Sequence, residues 1–167
     1  MDHHALQRLL DEADCRALLM RYGQAVDWRD RAALETLFWP DAEVDLGFFK
    51  GKGLGAPDFL IENANRSFRR CHITTSSHIR IDGDVALADS CAVTQAVSPG
   101  PDQGLVSHLF FGRYIDRLER REGEWRFASR RYLLHSAFSE AYVENPALAP
   151  MTKADDLGPE HPLFRPI

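Results

Sequence analysis

The sequence predicts an α+β fold, a cone-shaped α+β barrel whose N-terminal helices pack on the concave face of a curved, mainly antiparallel sheet. Three observations point there. Helical spacing of apolar residues is confined to about the first 68 of 167 residues, β-branched and aromatic residues dominate four long segments from Arg70 onward, and tight-turn residues separate those segments. Helices followed by a long meander bury their stripes only by covering one face of the sheet. Curvature then leaves the wide end of the cone unfilled, and a cavity there, apolar with a few polar groups, is the expected place for function.

The elements follow in order. Leu6, Leu9, Leu10, Ala13, Ala17 and Met20 recur at helical spacing, and Leu18, Tyr22, Ala25 and Val26 carry the stripe toward Asp27, which predicts one long helix. Asp30 is the expected N-cap of a short helix over 31–38, ended by Trp39-Pro40. A short strand is expected over 42–49, a flexible connection at Gly51, Gly53 and Gly55, and a third helix over 57–68 with Pro57 in its first turn. The extended segments run over about 70–81, 85–97, 105–119 and 124–135. Asp82-Gly83-Asp84 and Arg121-Glu122-Gly123-Glu124 mark hairpins, and Ser98-Pro99-Gly100-Pro101 a wider loop. A single domain is expected, with its barrel over 1–138 and a C-terminal arm of the same domain over 139–167. Residues 139–167, with Pro146, Pro150, Pro159, Pro162 and Pro166, read as an arm lying on the surface or on a partner subunit.

Composition excludes several classes of function. The formal net charge is -5, with 25 acidic and 20 basic side chains and no basic block, so neither nucleic acid nor an anionic membrane is an expected partner. The longest apolar runs fall far short of a membrane span, and no secretory leader pattern is visible. Cys15, Cys71 and Cys91 are odd in number and lack metal or redox spacing, which fits a reducing cytoplasm. The seven histidines are scattered, no nucleophile elbow exists, and Gly51, Gly53 and Gly55 do not form a nucleotide fingerprint. No metal or other cofactor is expected.

The order of several short motifs resembles the SnoaL-like branch of the nuclear-transport-factor-2-like superfamily. The motifs are Tyr22-x4-Asp27, Leu37-Phe38-x2-Asp41-Ala42, His72-x3-Ser76, Ile81-Asp82-Gly83-Asp84-x-Ala86, Gly112-Arg113-Tyr114-x-Asp116 and Gly123-x-Trp125-Arg126-Phe127-x2-Arg130. The resemblance runs from about Leu6 to His135 and is strongest to cofactor-free lyases of the lindane dehydrochlorinase, bile acid 7α-dehydratase and scytalone dehydratase kinds. It implies catalytic roles for Asp27 and His72 as a pair, and for Arg130 and Tyr22. Two departures withhold the substrate: Ser76 stands where an Asn is common, and a second strand histidine has only His108 nearby, off register.

The implied chemistry is consistent. A carboxylate on one imidazole nitrogen fixes the tautomer, leaves the other nitrogen as base and offsets the charge formed on proton transfer. Asp27 would orient, His72 abstract a proton from carbon, Arg130 meet a developing anion, and Tyr22 add a hydrogen bond. Each residue also has a structural reading. Asp27 fits a helix terminus, Tyr22 a core aromatic, and Arg130 a salt bridge to a helix carboxylate, with only one of Arg130 and Arg131 pointing inward. Strict alternation puts His72 opposite Ile79 and Ile81, an objection met either by a bulge among Thr74, Thr75, Ser76 and Ser77 that reverses parity or by burial of the convex face in a dimer. His78, His108 and His135 are further wall candidates, while His3, His4 and His161 read as exposed tails.

The expected activity is a cofactor-independent lyase or isomerase acting on a small, apolar, cyclic molecule, with Phe48, Phe49, Phe59, Phe110 and Phe111 as wall residues. A non-catalytic ligand-binding or assembly protein, like the small subunits of ring-hydroxylating dioxygenases, and a polyketide-cyclase-like aldol enzyme are the alternatives. A homodimer or homotrimer is expected, because the convex sheet face carries Val and Leu.

Overall fold

Turn chemistry and strand parity set the architecture seen in a computed structural model, which describes residues 3–162 and 164. The helices are α1 (His3–Asp27), α2 (Arg31–Leu37) and α3 (Ala56–Ala64), and the strands are β1 (Phe38–Asp45), β2 (Lys50–Lys52), β3 (Arg69–Asp82), β4 (Val85–Pro99), β5 (Leu105–Arg121) and β6 (Glu124–Tyr142). The strands form one mixed sheet in the order β2-β1-β6-β5-β4-β3, antiparallel throughout except for the parallel β1–β6 pair. The α+β cone is present, with the three helices packed against a sheet that stays open and has β2 and β3 at its edges. Among the described residues no helix is long and apolar enough to cross a membrane.

The face α1 buries differs from the one its apolar residues mark in its first half. Asp11, Cys15, Leu18, Leu19, Tyr22, Ala25 and Val26 are buried, whereas Leu6, Leu9, Leu10 and Met20 are exposed. Asp11 occupies a core position because Arg120 Nη1 (2.6 Å) and Trp125 Nε1 (3.3 Å) donate to its carboxylate. Asp30 caps α2 by accepting from the Ala33 amide at 2.9 Å.

Four boundaries move. β1 begins at Phe38, so Trp39-Pro40 lies inside a strand rather than ending a helix; its pairing with β6 is interrupted between Phe38 and Glu43, where the missing Pro40 amide costs no ladder bond. The glycine segment forms β2 and a 3-10 turn at Gly53–Gly55 instead of a flexible connection. A Cβ on Gly53 would stand 2.1 Å from the Trp39 carbonyl, so only glycine fits this crossing. α3 stops at Ala64, and β6 runs on to Tyr142, past the expected strand end at His135.

The β5–β6 hairpin turns through Glu122 (φ 54°) and Gly123 (φ 85°), both left-handed as a two-residue turn requires. The arm after β6 folds back on its own chain. Asp156 donates its amide to the Phe68 carbonyl (2.8 Å), Arg69 pairs with Glu144 (2.6 Å) and Asp155, Arg29 donates to the Leu157 carbonyl, and His161 packs edge-on against Trp28 at 5.7 Å rather than extending as a tail. Pro166 lies outside the described residues.

Candidate functional site

Asp27 is the last residue of α1. The chain turns immediately beyond it, with Arg29 in a left-handed conformation (φ 52°) and the Asp30 amide bonded back to the Ala25 carbonyl at 2.8 Å. The Asp27 carboxylate therefore projects from the helix end toward β3. It grips one residue there twice: Oδ2 accepts the His72 backbone amide at 2.9 Å, and Oδ1 lies 2.6 Å from His72 Nδ1. Both side chains are largely buried, at 14% and 15% exposure. An ionised carboxylate only accepts, so in the neutral imidazole this contact favours the tautomer with the proton on Nδ1 and the lone pair on Nε2.

The parity problem at His72 is resolved by a bulge. His72 pairs with Thr94 and Thr74 with Ala92, but Ser76 pairs with Cys91, so Thr75 is the extra residue. Beyond it Ile79 faces Ala88 and Ile81 faces Ala86, both in the core, so His72 and the isoleucines share the concave face. His78 is thereby turned outward and exposed.

Gly23 makes the close approach of α1 to β3 feasible. A Cβ there would stand 2.9 Å from His72 Cβ, so any side chain forces helix and strand apart. Arg70, two residues before His72 on the same face, fastens the helix end. Its Nη1 reaches the Val26 and Asp27 carbonyls (3.5 and 3.4 Å), its Nη2 the Ala64 and Ser67 carbonyls, and its Nε the Ser67 hydroxyl (3.2 Å). Burial, with the nearby Arg29 charge, brings the Arg70 pKa down to about 10, against the pull of Asp27. The pattern signal for Arg70 was its shared parity with His72.

His72, but not Asp27, lines a cavity of about 170 Å³. Its wall includes Tyr22, Phe48, Phe59, Arg70, His72, Phe110, Tyr114 and Tyr132. Phe49 instead stacks on Phe59 (5.0 Å between centroids), and Phe111 packs with Phe138 (6.2 Å). His108 bonds Ser98 and Ser139, and neither it nor His135 lines the cavity. Among the described residues no group of three or more His, Cys, Asp or Glu side chains is placed to hold a metal.

Tyr22 is 4% exposed and meets the His72 ring edge-on at 6.4 Å. Burial raises its pKa, while Arg130 and a hydrogen bond with Tyr114 oppose the rise. Arg130 lies behind these rings and does not line the cavity, so from this position it does not meet a departing group. Its partner is a strand carboxylate rather than a helix one: Nε and Nη2 bond Asp116 at 3.0 and 3.1 Å. The third nitrogen, Nη1, has no hydrogen-bond partner among the described residues, and the guanidinium carbon sits 4.0 Å from the Tyr22 and Tyr114 centroids and 4.2 Å from that of Phe127. The ring faces offset part of the missing bond. Burial pushes the Asp116 carboxyl up to about 6, with Arg130 opposing. Arg131 is exposed on the other face.

Tyr114 stands in the Gly112-Arg113-Tyr114-x-Asp116 motif without a role assigned to it, and Tyr132 carries no sequence signal beyond strand parity. Gly112 supplies the missing cue: a Cβ there would stand 2.2 Å from the Tyr132 hydroxyl, so the Tyr132 ring lies over the space this glycine leaves.

Comparison with known proteins fits this fold. No curated protein sequence matches the chain significantly. Among solved structures, the hexachlorocyclohexane dehydrochlorinase LinA-type3 of Novosphingobium barchaimii shares 22% identity at a TM-score of 0.72, covering 84% of this chain and 97% of its own. A protein named as a scytalone dehydratase from Novosphingobium aromaticivorans shares 18% at 0.68, covering 83% and 91%. A nuclear transport factor 2-like superfamily protein from Salmonella enterica shares 18% at 0.65, covering 78% and 94%. All three have the same fold. A family model describing a SnoaL-like domain matches residues 7–131, and the chain belongs to the SnoaL-like domain family.

Proposed function

We propose that the protein is a cofactor-independent lyase or isomerase that removes a proton from carbon of a small, mainly apolar, cyclic substrate, with His72 as base and Asp27 as its orienting partner. The observation that carries this reading is the double grip of Asp27 on His72, 2.6 Å to Nδ1 and 2.9 Å to the backbone amide, which leaves Nε2 as the free basic nitrogen of a cavity-lining residue. The substrate class is supported by the aromatic wall and by volume, since an apolar cavity of about 150 Å³ accommodates a benzene-sized ring. Two lyases among the structural neighbours, by their names, support the reaction class.

The step is an elimination or isomerisation begun at carbon. Nε2 takes the proton, the C–H pair enters a new C=C bond, and a neighbouring carbonyl π pair moves onto its oxygen. Return of that pair expels a β-hydroxide or halide; in a substrate without a carbonyl the C–H pair forms the C=C bond as the C–halogen pair leaves directly with the halide, and in either case the imidazolium gives up its proton to the leaving group, to solvent or to another carbon. Asp27 stabilises the imidazolium throughout.

The test is a panel of cyclic ketones, β-hydroxyketones and chlorinated cyclohexanes in D2O, followed by NMR for deuterium incorporation and elimination products. Wild-type protein should turn over at least one class, and His72→Ala should fall to background. Asp27→Asn should lose about 10³–10⁴ in rate, as expected when a histidine loses its orienting carboxylate. Turnover by His72→Ala at the wild-type rate, or none by wild type on the whole panel, would overturn the reading.

A further inference from the structure

We propose that Tyr132 is a second catalytic residue, the hydrogen-bond donor to the substrate oxygen on which charge develops when His72 removes a proton. The proposal rests on His72 being the base and narrows the substrate to a single-ring carbonyl compound. Three observations carry it. First, Tyr132 is the cavity tyrosine with an uncommitted phenol: Tyr22 and Tyr114 interact with each other, whereas among the described residues the Tyr132 hydroxyl has no hydrogen-bond partner. A half-buried donor facing a small apolar cavity is satisfied when an occupant supplies the acceptor.

Second, the phenol is placed there by a gap in the neighbouring strand. Gly112 faces the cavity between Phe110 and Tyr114 on β5, and the Tyr132 hydroxyl and Cζ stand only 2.2 and 2.3 Å from where a Cβ at Gly112 would be. The ring thus leans off β6 and sets its hydroxyl above β5, nearer to His72 than its own strand is.

Third, the span between the groups fits one ring. β3 and β5 are separated by β4, two strand spacings or about 10 Å. Both side chains reach inward from that span into a cavity of about 170 Å³, so a ring between them touches the base on one side and the phenol on the other. In the step, the proton goes to His72 Nε2, the C–H pair forms the C=C bond, the carbonyl pair moves to oxygen, and the Tyr132 O–H donates to that oxygen while keeping its own proton. Burial and the neighbouring Tyr114 push the Tyr132 phenol up to about 12, so the donor stays protonated at neutral pH. Arg130, sealed behind the tyrosines, is not available for this task.

The experiment uses 4-nitrophenol as an enolate mimic of one-ring size and nitrobenzene as the matched ring without the oxygen, titrated against the full chain by absorbance. Wild type should prefer the nitrophenolate. Tyr132→Phe should weaken nitrophenolate binding on the order of ten- to a hundredfold, the range for a hydrogen bond to a charged acceptor, and leave nitrobenzene binding unchanged. Gly112→Ala keeps the phenol but displaces it, and should reproduce the loss. In a His72→Ala background the ratio between Tyr and Phe at this position should persist, which separates failure of this assignment from failure of the base. Equal nitrophenolate affinity in wild type and Tyr132→Phe, or an equal loss for nitrobenzene, would overturn the proposal.

Discussion

Gly23→Ala tests whether the spacing of helix and strand sets the chemistry. The added Cβ would stand 2.9 Å from His72 Cβ, and ordinary contact begins at 3.4 Å, so α1 and β3 must separate by about 0.5 Å. His72 Cβ is fixed to the strand backbone and cannot swing away as the end of a long side chain can. Asp27 is one helical turn beyond Gly23 and moves with the same face. If the whole displacement falls on the Oδ1–Nδ1 contact, that contact lengthens from 2.6 Å to about 3.1 Å and loses much of its charge-assisted strength. A 1 Å misplacement costs about a hundredfold in rate, so half that distance should cost about tenfold. Stability changes less: alanine gains about 1 kcal/mol of helix propensity, against about 1–3 kcal/mol for overpacking. Two measurements check this, the chemical shift of the strongly hydrogen-bonded Nδ1 proton and turnover on whichever substrate class the panel identifies. The shift should move upfield and turnover fall about tenfold, with a melting temperature within a few degrees of wild type. A folded Gly23→Ala protein with the wild-type resonance and full turnover would refute the claim that helix–strand spacing controls the pair.

Two further outcomes are expected. Arg130→Met strands Asp116 in the core and should cost about 3–5 kcal/mol in urea unfolding, with most of the loss recovered in Arg130→Met/Asp116→Leu. The deficit should shrink on acidification. An acid whose folded pKa lies above its ordinary value binds its proton more tightly when folded, so its share of stability falls as pH rises from about 4 toward 6, and further up in the variant, where Arg130 no longer opposes. A deficit that does not change with pH would argue against a buried carboxyl of raised pKa. At the arm, hydrogen bonds from Lys153 and Arg69 hold Glu144 low, and Arg69 holds Asp155 low, so their contribution is present above their ordinary pKa values and lost as pH falls below them. Protection of the Asp156 amide, bonded to the Phe68 carbonyl, should drop below about pH 4, and Arg69→Ala should lower it at pH 7. Unchanged protection in Arg69→Ala would show that Trp28 and Arg29 hold the arm instead.

Much of this protein was legible in its residues, because turns and caps are local. Asp30 caps α2, Glu122 and Gly123 turn the last hairpin, and the long meander follows from β-branched and aromatic runs. Pro40 misled because a proline ends a helix or sits in an unpaired stretch of strand, and only its neighbours decide which. The buried face of α1 was half misread for a similar reason. Leu6, Leu9, Leu10 and Met20 mark an apolar stripe as clearly as Cys15, Leu18 and Tyr22 do, and a charged residue, Asp11, takes a core position because Arg120 and Trp125 arrive from distant strands to satisfy it.

The pairing of Asp27 with His72 was implied by the family resemblance, but the strand parity that lets the two meet was not legible. Whether His72 faces inward depends on one extra residue, Thr75, and a bulge is an accommodation between two strands that neither encodes alone. The position of Arg130 behind the tyrosines, the grip of Arg70 on the helix end and the phenol of Tyr132 over Gly112 are likewise contacts between segments far apart in sequence. The sequence alone determined the order of elements, the turns and the candidate chemistry, since those rest on local backbone preference and side-chain type. Only the tertiary structure decided which groups share the cavity, because that depends on register and close packing between elements.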